Sequence, residues 1–196
     1  MSLFRGTPPA DWLVVGLGNP GERYARTPHN VGFLVAEALA ERWDLGKARK
    51  TFRGLLHEGR TMPGGPRVAV LRPQTYMNES GKSAGPARGA LKVELDHVVV
   101  VHDELDLGFG DLRVRLGGGL AGHNGLKSLK AEFGSPDFGR VRIGIGRPDT
   151  TDPEIVSAHV LGRWKQSDDE VRELVARAAD TVERIVEGRE VLAPSR

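Results

Sequence analysis

Trp12-Leu13-Val14-Val15-Gly16 runs into Leu17-Gly18-Asn19-Pro20-Gly21, and Val31, Leu34, Val35, Ala38 and Leu39 follow at three- and four-residue spacing. A short apolar run ending in glycine marks a buried strand. The later set places its apolar side chains on one face of a helix, with Asn30 available as N-cap. A strand, a Gly/Pro loop and a helix in that order open an α/β fold.

The rest of the chain continues the alternation. Phe52–Arg60 and Arg67–Leu71 read as strands joined by the turn-rich segment 61–66. Tyr76–Leu91 reads as a weaker helix, interrupted by Gly81 and Gly85. Val98–Val101 is the most strongly β-branched run and is predicted to be a central strand. Leu112–Leu116 is another strand, and the glycine-rich loop GGGLAGHNG leads into a helix with Leu126, Leu129 and Phe133 inward. Val141–Ile145 alternates apolar residues with Arg142 and Gly144. Ser167-Asp168-Asp169-Glu170 matches a capping box, and Val171, Leu174, Val175, Ala178, Val182, Ile185 and Val186 form the stripe behind it. The expectation is one α/β catalytic domain over residues 12–196, a twisted mixed and mostly parallel sheet flanked by helices. A short flexible extension over residues 1–11 precedes it.

Composition narrows the function classes. The 196 residues fit one domain, and a hydrophobic fraction of 39% supports a sizeable core. No apolar run approaches the roughly 20 residues that span a bilayer, and the first residues lack the apolar core of a secretory signal. With no cysteine, disulfides, thiolate chemistry and Cys-ligated zinc are excluded. A cytoplasmic location without membrane contact fits these features. The six histidines, at 29, 57, 97, 102, 123 and 159, form no HxH or HExxH pair, so no metal is expected. Net charge is only +2, yet residues 113–165 carry nine Lys/Arg against five Asp/Glu. Such an excess suits a polyanionic partner, and it also suits an ordinary solvated surface.

Five segments bear chemistry. Gly16–Gly21 fits GxGxxG, the dinucleotide fingerprint. Against that reading, Pro20 interrupts the turn and the helical pattern starts only near Val31, so no helix N-terminus meets a pyrophosphate. The acidic residue about 20 positions on, Glu41, sits inside a helical stretch. His29 directly precedes the helix in a loop after a strand, where a neutral imidazole can accept a proton from water; a surface histidine would occupy the same place. Asp103 follows the predicted central strand, at the edge where α/β proteins bind ligands. A carboxylate there can hold an imidazole in its useful tautomer. Asp103, Glu104 and Asp106 together also leave a magnesium site open. Asn78 and Asn124 each stand where a loop opens a helix, as caps or as groups that orient water and stabilise an oxyanion.

Taken together, GLGNPGERYARTPHNVG, RPQTYMNESGKS, VVVVHDELDLGFG, RVRLGGGLAGHNGLKSL and RVRIGIGRP resemble the bacterial-type peptidyl-tRNA hydrolase family, in the family's order over roughly residues 12–165. GHNGL and the GNPG…Y…HN run are the specific parts. The resemblance implies a monomeric, cofactor-free enzyme without an obligate protein partner. It would cut the ester of peptidyl-tRNA and engage the 3′ CCA end and acceptor stem. It also implies that His29 is the base that activates water and that Asp103 stabilises it. Asn19 would contact the peptide backbone and help reject unblocked aminoacyl-tRNA. Tyr24 and Tyr76 would shape the site for the peptide and the 3′ end, with Met77 beneath. Asn78 and Asn124 would hold substrate or water, beside His123. Arg115 and Arg142 would clamp a tRNA phosphate. Two departures stand out: Pro28 precedes His29 where a basic residue is more usual, and Gly108 stands where proline is usual.

An ester is more labile than an amide, so a base and a positioned water suffice without a covalent intermediate. A dehydrogenase, a non-enzymatic RNA-binding module and a magnesium phosphoesterase are the alternatives from other classes.

Overall fold

The computed structural model describes residues 8–194. Its strands are β1 (Trp12–Gly16), β2 (Arg49–Thr51), β3 (Gly54–Arg60), β4 (Arg67–Pro73), β5 (Val98–Glu104), β6 (Leu112–Leu116) and β7 (Gly139–Gly144). They form one sheet ordered β2-β3-β4-β1-β5-β7-β6. The inner four, β4, β1, β5 and β7, are parallel. β3 and β2 extend one edge antiparallel, and β6 closes the other.

The helices are α1 (Val31–Arg42), α2 (Gly81–Leu91), α3 (Asn124–Phe133), α4 (Pro153–Leu161) and α5 (Asp168–Val186). Side chains alternate across a strand, so the sheet carries two cores. Val14, Val99 and Val101 pack under Val35 and Leu39 of α1 and Leu174 and Val182 of α5. Leu13, Val15, Val98 and Val100 pack under Ala84 and Leu91 of α2 and Leu126 and Leu129 of α3. Every residue of β5 is buried, as a parallel strand covered on both faces requires. That burial includes His102, Asp103 and Glu104 at its C-terminal end.

Three elements differ from the sequence-based expectation. β2 was not expected; it joins β3 through Phe52 and Arg53, at φ 50° and 51°. That geometry normally advertises itself as Asn-Gly. The stretch predicted as one helix from Tyr76 is a single turn at Met77–Glu79 followed by α2. α4 carries the Asp152 cap and Pro153 of a helix start, but its apolar residues Ile155, Val156, Val160 and Leu161 are spread round the helix instead of forming one stripe, and none is buried. Of the extension expected over residues 1–11, residues 1–7 lie outside the described residues. Ala10 and Asp11 are bonded to the body, through Ala10 N–H to the Leu91 carbonyl at 3.1 Å and Asp11 N–H to the Arg67 carbonyl at 2.8 Å.

Close backbone contact at the top of the sheet positions the site. A Cβ on Gly32 would lie 2.4 Å from the Val101 carbonyl oxygen, and one on Gly16 would lie 2.2 Å from the Gly32 carbonyl oxygen. The first turn of α1 therefore rests directly on the ends of β1 and β5. The glycine that opens GxGxxG serves helix–strand approach, as glycine permits.

Candidate active site

Because α1 sits so low on the sheet, the loop before it hangs over the end of β5. Asn30 was expected to cap α1, but its side chain makes no cap bond. Instead, Asn30 Oδ1 accepts from Asn19 N–H and Asn30 Nδ2 donates to the Asn19 carbonyl, both at 2.9 Å. This amide pairing ties the helix entry to the loop after β1. The residue before it, His29, thereby faces Asp103.

The Asp103 carboxylate meets two imidazoles. Both of its oxygens lie 2.9 Å from His29 Nδ1. Its Oδ1 lies 3.0 Å from His123 Nε2. His123 Nδ1 accepts from the Gly125 and Leu126 amides at 3.1 and 3.4 Å, capping α3. A nitrogen that accepts carries no proton, so His123 holds its hydrogen on Nε2 and donates it to Asp103. Asp103 likewise draws the His29 proton to Nδ1, which leaves His29 Nε2 with its lone pair. Burial by itself would raise the Asp103 carboxyl. The positive N–H ends of the His29 and His123 rings, and the hydrogen bonds they donate, outweigh it and hold the carboxyl well below the ordinary carboxylate range.

His102 stands behind this group, 1% exposed, with its Nδ1 2.7 Å from the Asp103 carbonyl oxygen. Its ring meets His123 edge-on, with centroids 5.0 Å apart. Burial first, and the neighbouring His123 second, push the His102 imidazole down to about 3, so it is neutral in ordinary buffers.

A cleft of about 590 Å³ opens above His29, lined by Asn19, Tyr24, Tyr76, Met77, Asn78, Asp103, His123 and Asn124. Thus nine of the eleven residues singled out in the sequence share one cavity. Asn19 is oriented within it: its Oδ1 accepts from Met77 N–H at 2.8 Å, so its NH2 is the end left for a ligand. Tyr76 is 55% exposed at the rim. Neither asparagine expected as a helix cap has that role, since Ser80 precedes α2 and His123 caps α3. Val156, Ser157 and Val160 of α4 form the far wall, which the sequence reading missed because α4 itself was missed.

Arg115 and Arg142 lie outside the cleft. β6 and β7 set Arg113 opposite Arg142 and Arg115 opposite Arg140, four arginines across two strands. They do not behave alike. Arg142 is held by Glu104, with its Nε 3.0 Å and an Nη 2.9 Å from Glu104 Oε2. Arg113 and Arg115 are exposed.

The alternative chemistries lose their footing in this geometry. Asp103, Glu104 and Asp106 turn to different partners, namely the imidazoles, Arg142 and Arg147, so they form no magnesium cage. His29, Asp103 and His123 lie close enough to ligate one ion. Yet a metal on His123 Nε2 needs a lone pair there, while the two amides at Nδ1 keep the proton on Nε2. After Gly21 the chain makes two short turns, Glu22–Tyr24 and Pro28–Asn30, before α1, so no helix N-terminus faces the glycine loop.

Residues 13–193 match the peptidyl-tRNA hydrolase family. The chain belongs to that family. A peptidyl-tRNA hydrolase of Leifsonia xyli subsp. xyli is 48% identical over 176 residues, covering 89% of this chain and 90% of the relative. One from Anaeromyxobacter sp. (strain K) is 46% identical over 174 residues, 88% of each chain. The crystal structure of peptidyl-tRNA hydrolase from Acinetobacter baumannii superposes with a TM-score of 0.79 at 37% identity, covering 94% of this chain and 93% of that one. The mixed α/β sheet inferred from the sequence is thus the fold of this hydrolase family. Among the described residues no helix is long and apolar enough to cross a membrane.

Proposed function

We propose that the chain hydrolyses the ester joining a peptide to the 3′ end of tRNA, with His29 as general base. The observation that carries this reading is the His29–Asp103 contact, both carboxylate oxygens 2.9 Å from Nδ1. It leaves Nε2 to take a proton from water in the cleft. The resulting hydroxide adds to the ester carbonyl. As the tetrahedral intermediate collapses, the C–O bond to the ribose breaks and protonated His29 returns its proton to the leaving oxygen. Asp103 stays ionised throughout and stabilises the imidazolium. His123 holds Asp103 from the other side. The Asn19 NH2 donates to a peptide carbonyl. Asn78 and Asn124 hold the attacking water or the oxyanion.

The tRNA follows the charge. The CCA end enters the cleft between Tyr24 and Tyr76, whose rings offer stacking surfaces for bases. The acceptor stem lies towards the exposed Arg113 and Arg115, which contact phosphates. Arg142 supports this surface from its pair with Glu104. The chemistry calls on no cofactor and no partner chain, as a cytoplasmic translation enzyme acting alone would. The test is release of peptide from N-blocked aminoacyl-tRNA, with and without a chelator. Equal release in both, lost in His29→Ala, is the expected result; release abolished by the chelator would overturn the reading.

A further inference from the structure

The loop between β6 and α3 presents a physical problem. Four of the six residues from Gly117 to Gly122 are glycine, and Gly117, Gly118, Ala121 and Gly122 all have positive φ. Such a backbone has many alternatives of similar energy. Yet it ends on His123 and Asn124, which line the cleft, with His123 Nε2 held 3.0 Å from Asp103 Oδ1. Something outside the loop has to hold it.

Arg140 does so. It is 2% exposed and makes no ion pair with a carboxylate among the described residues. Its guanidinium donates instead to carbonyls: Nη1 to Gly119, and Nη2 to Gly118 and Pro136, both at 3.0 Å. Its plane lies over the Phe138 ring, 4.8 Å from the centroid. Gly118 and Gly119 precede α3, and Pro136 follows it. One planar fork therefore ties together the two connections that flank the helix capped by His123. The cross-strand neighbour Arg115 points into solvent, so the two arginines of this pair have divided their work.

We propose that Arg140 is a positioning residue for the hydrolysis: by stapling the loops on both sides of α3, it sets His123 against Asp103 and Asn124 at the cleft. This rests on the hydrolase reading above. The shape of the side chain matters as much as its charge. A lysine keeps the charge but cannot reach carbonyls on two loops with fixed donors.

The experiment compares Arg140→Lys and Arg140→Gln with wild type on two substrates. One is an N-acetylated aminoacyl ester of a short CCA oligonucleotide, and the other is the same ester on full-length tRNA. Both variants are expected to lose roughly tenfold or more in kcat on the short substrate, the scale of a small misplacement of reacting groups. KM and the salt slope of tRNA binding are expected to stay at wild-type values. The 15N signals of the His123 ring are expected to leave the single Nε2–H tautomer. Arg140→Lys keeping kcat within about twofold would show that the fork is dispensable and overturn the proposal; a loss only on full-length tRNA with a shallower salt slope would make Arg140 a phosphate contact and overturn it too. Inactive wild type, or an unaffected His29→Ala, would instead remove the hydrolase reading beneath it. Should the variants not fold, native-state hydrogen exchange on the wild type decides. The loop amides and the Arg140 Nη protons are expected to open together. Loop amides that exchange while the guanidinium stays protected overturn the proposal.

Discussion

The carboxylate of Asp103 keeps both of its oxygens 2.9 Å from Nδ1 of His29, across 74 residues of sequence. One contact fixes the tautomer, the ring plane and the free nitrogen of the proposed base. His29→Ala is expected to lower turnover about 10²–10⁴-fold, the range of general-base assistance. tRNA affinity is expected to stay near wild type, because the ring contributes little to phosphate contacts. Steady-state kinetics beside a tRNA binding titration check this, and a variant keeping a tenth of the rate would move the base elsewhere.

Asp103→Asn is expected to cost at least as much as a lost general base, on the order of 10²-fold. The reason is geometric as well as electrostatic. His29 and His123 both donate to this carboxylate, whereas an asparagine turns an NH2 toward one of them. Fresh 15N spectra of the variant should show His29 or His123 in a changed tautomer; unchanged spectra with full activity would remove Asp103 from the mechanism.

Asn19→Asp separates two roles of one side chain. The carboxylate keeps an acceptor for Met77 N–H, 2.8 Å away in the native protein. It replaces the NH2 that faces the cleft with a second acceptor. The expected outcome is a folded enzyme with weakened binding of peptide-bearing substrate, roughly tenfold in KM for one lost hydrogen bond of about 1.4 kcal/mol. Wild-type KM in the variant would assign Asn19 to the Met77 contact alone.

His102 predicts the pH dependence of stability. Its imidazole is held at about 3 in the folded protein, against 6.5 for the ordinary group. Between these values the unfolded chain binds a proton that the native state refuses. The contribution of His102 to stability is therefore fully present above pH 6.5 and is lost as pH drops towards 3, by up to about 1.4 kcal/mol per pH unit. The depressed Asp103 carboxyl adds its own loss only below its ordinary value of 3.8. Urea unfolding from pH 7 to pH 4 in wild type and His102→Asn checks this: the variant curve should be flatter, and parallel curves would contradict a neutral, buried His102.

Arg115 and Arg142, paired in the sequence reading, should part company on mutation. Arg115→Ala is expected to lower the salt slope of tRNA binding by about one phosphate contact, 0.7–0.9 in slope, without a change in melting temperature. Arg142→Ala strands the Glu104 carboxylate, which is buried and paired with it at 2.9 Å. It is expected to lose on the order of 3 kcal/mol of stability, largely recovered in Glu104→Gln/Arg142→Ala. Equal melting temperatures for the two single variants would show that the ion pair carries no weight.

Much of the site was legible because its residues travel in short segments with their own character. Asn19, Tyr24 and His29 lie between β1 and α1, and His123 with Asn124 at the start of α3, and all line the cleft. What escaped was whatever lacks a local signal. Phe52-Arg53 turns the chain without glycine or asparagine. α4 walls the cleft with apolar residues it does not bury. Asn30 has the side chain of a helix cap and uses it on Asn19 instead.

By itself, the sequence determined the alternation of strands and helices, because periods of two and 3.6 residues are local properties of the chain. It also determined which functional groups are present. Only the tertiary structure decided what each group does. The free nitrogen of His29 depends on Asp103, and the tautomer of His123 depends on amides of α3. Of the two arginines on β7, Arg142 took a carboxylate and Arg140 three carbonyls. A hydrogen bond has direction, and that direction is set by neighbours tens of residues away.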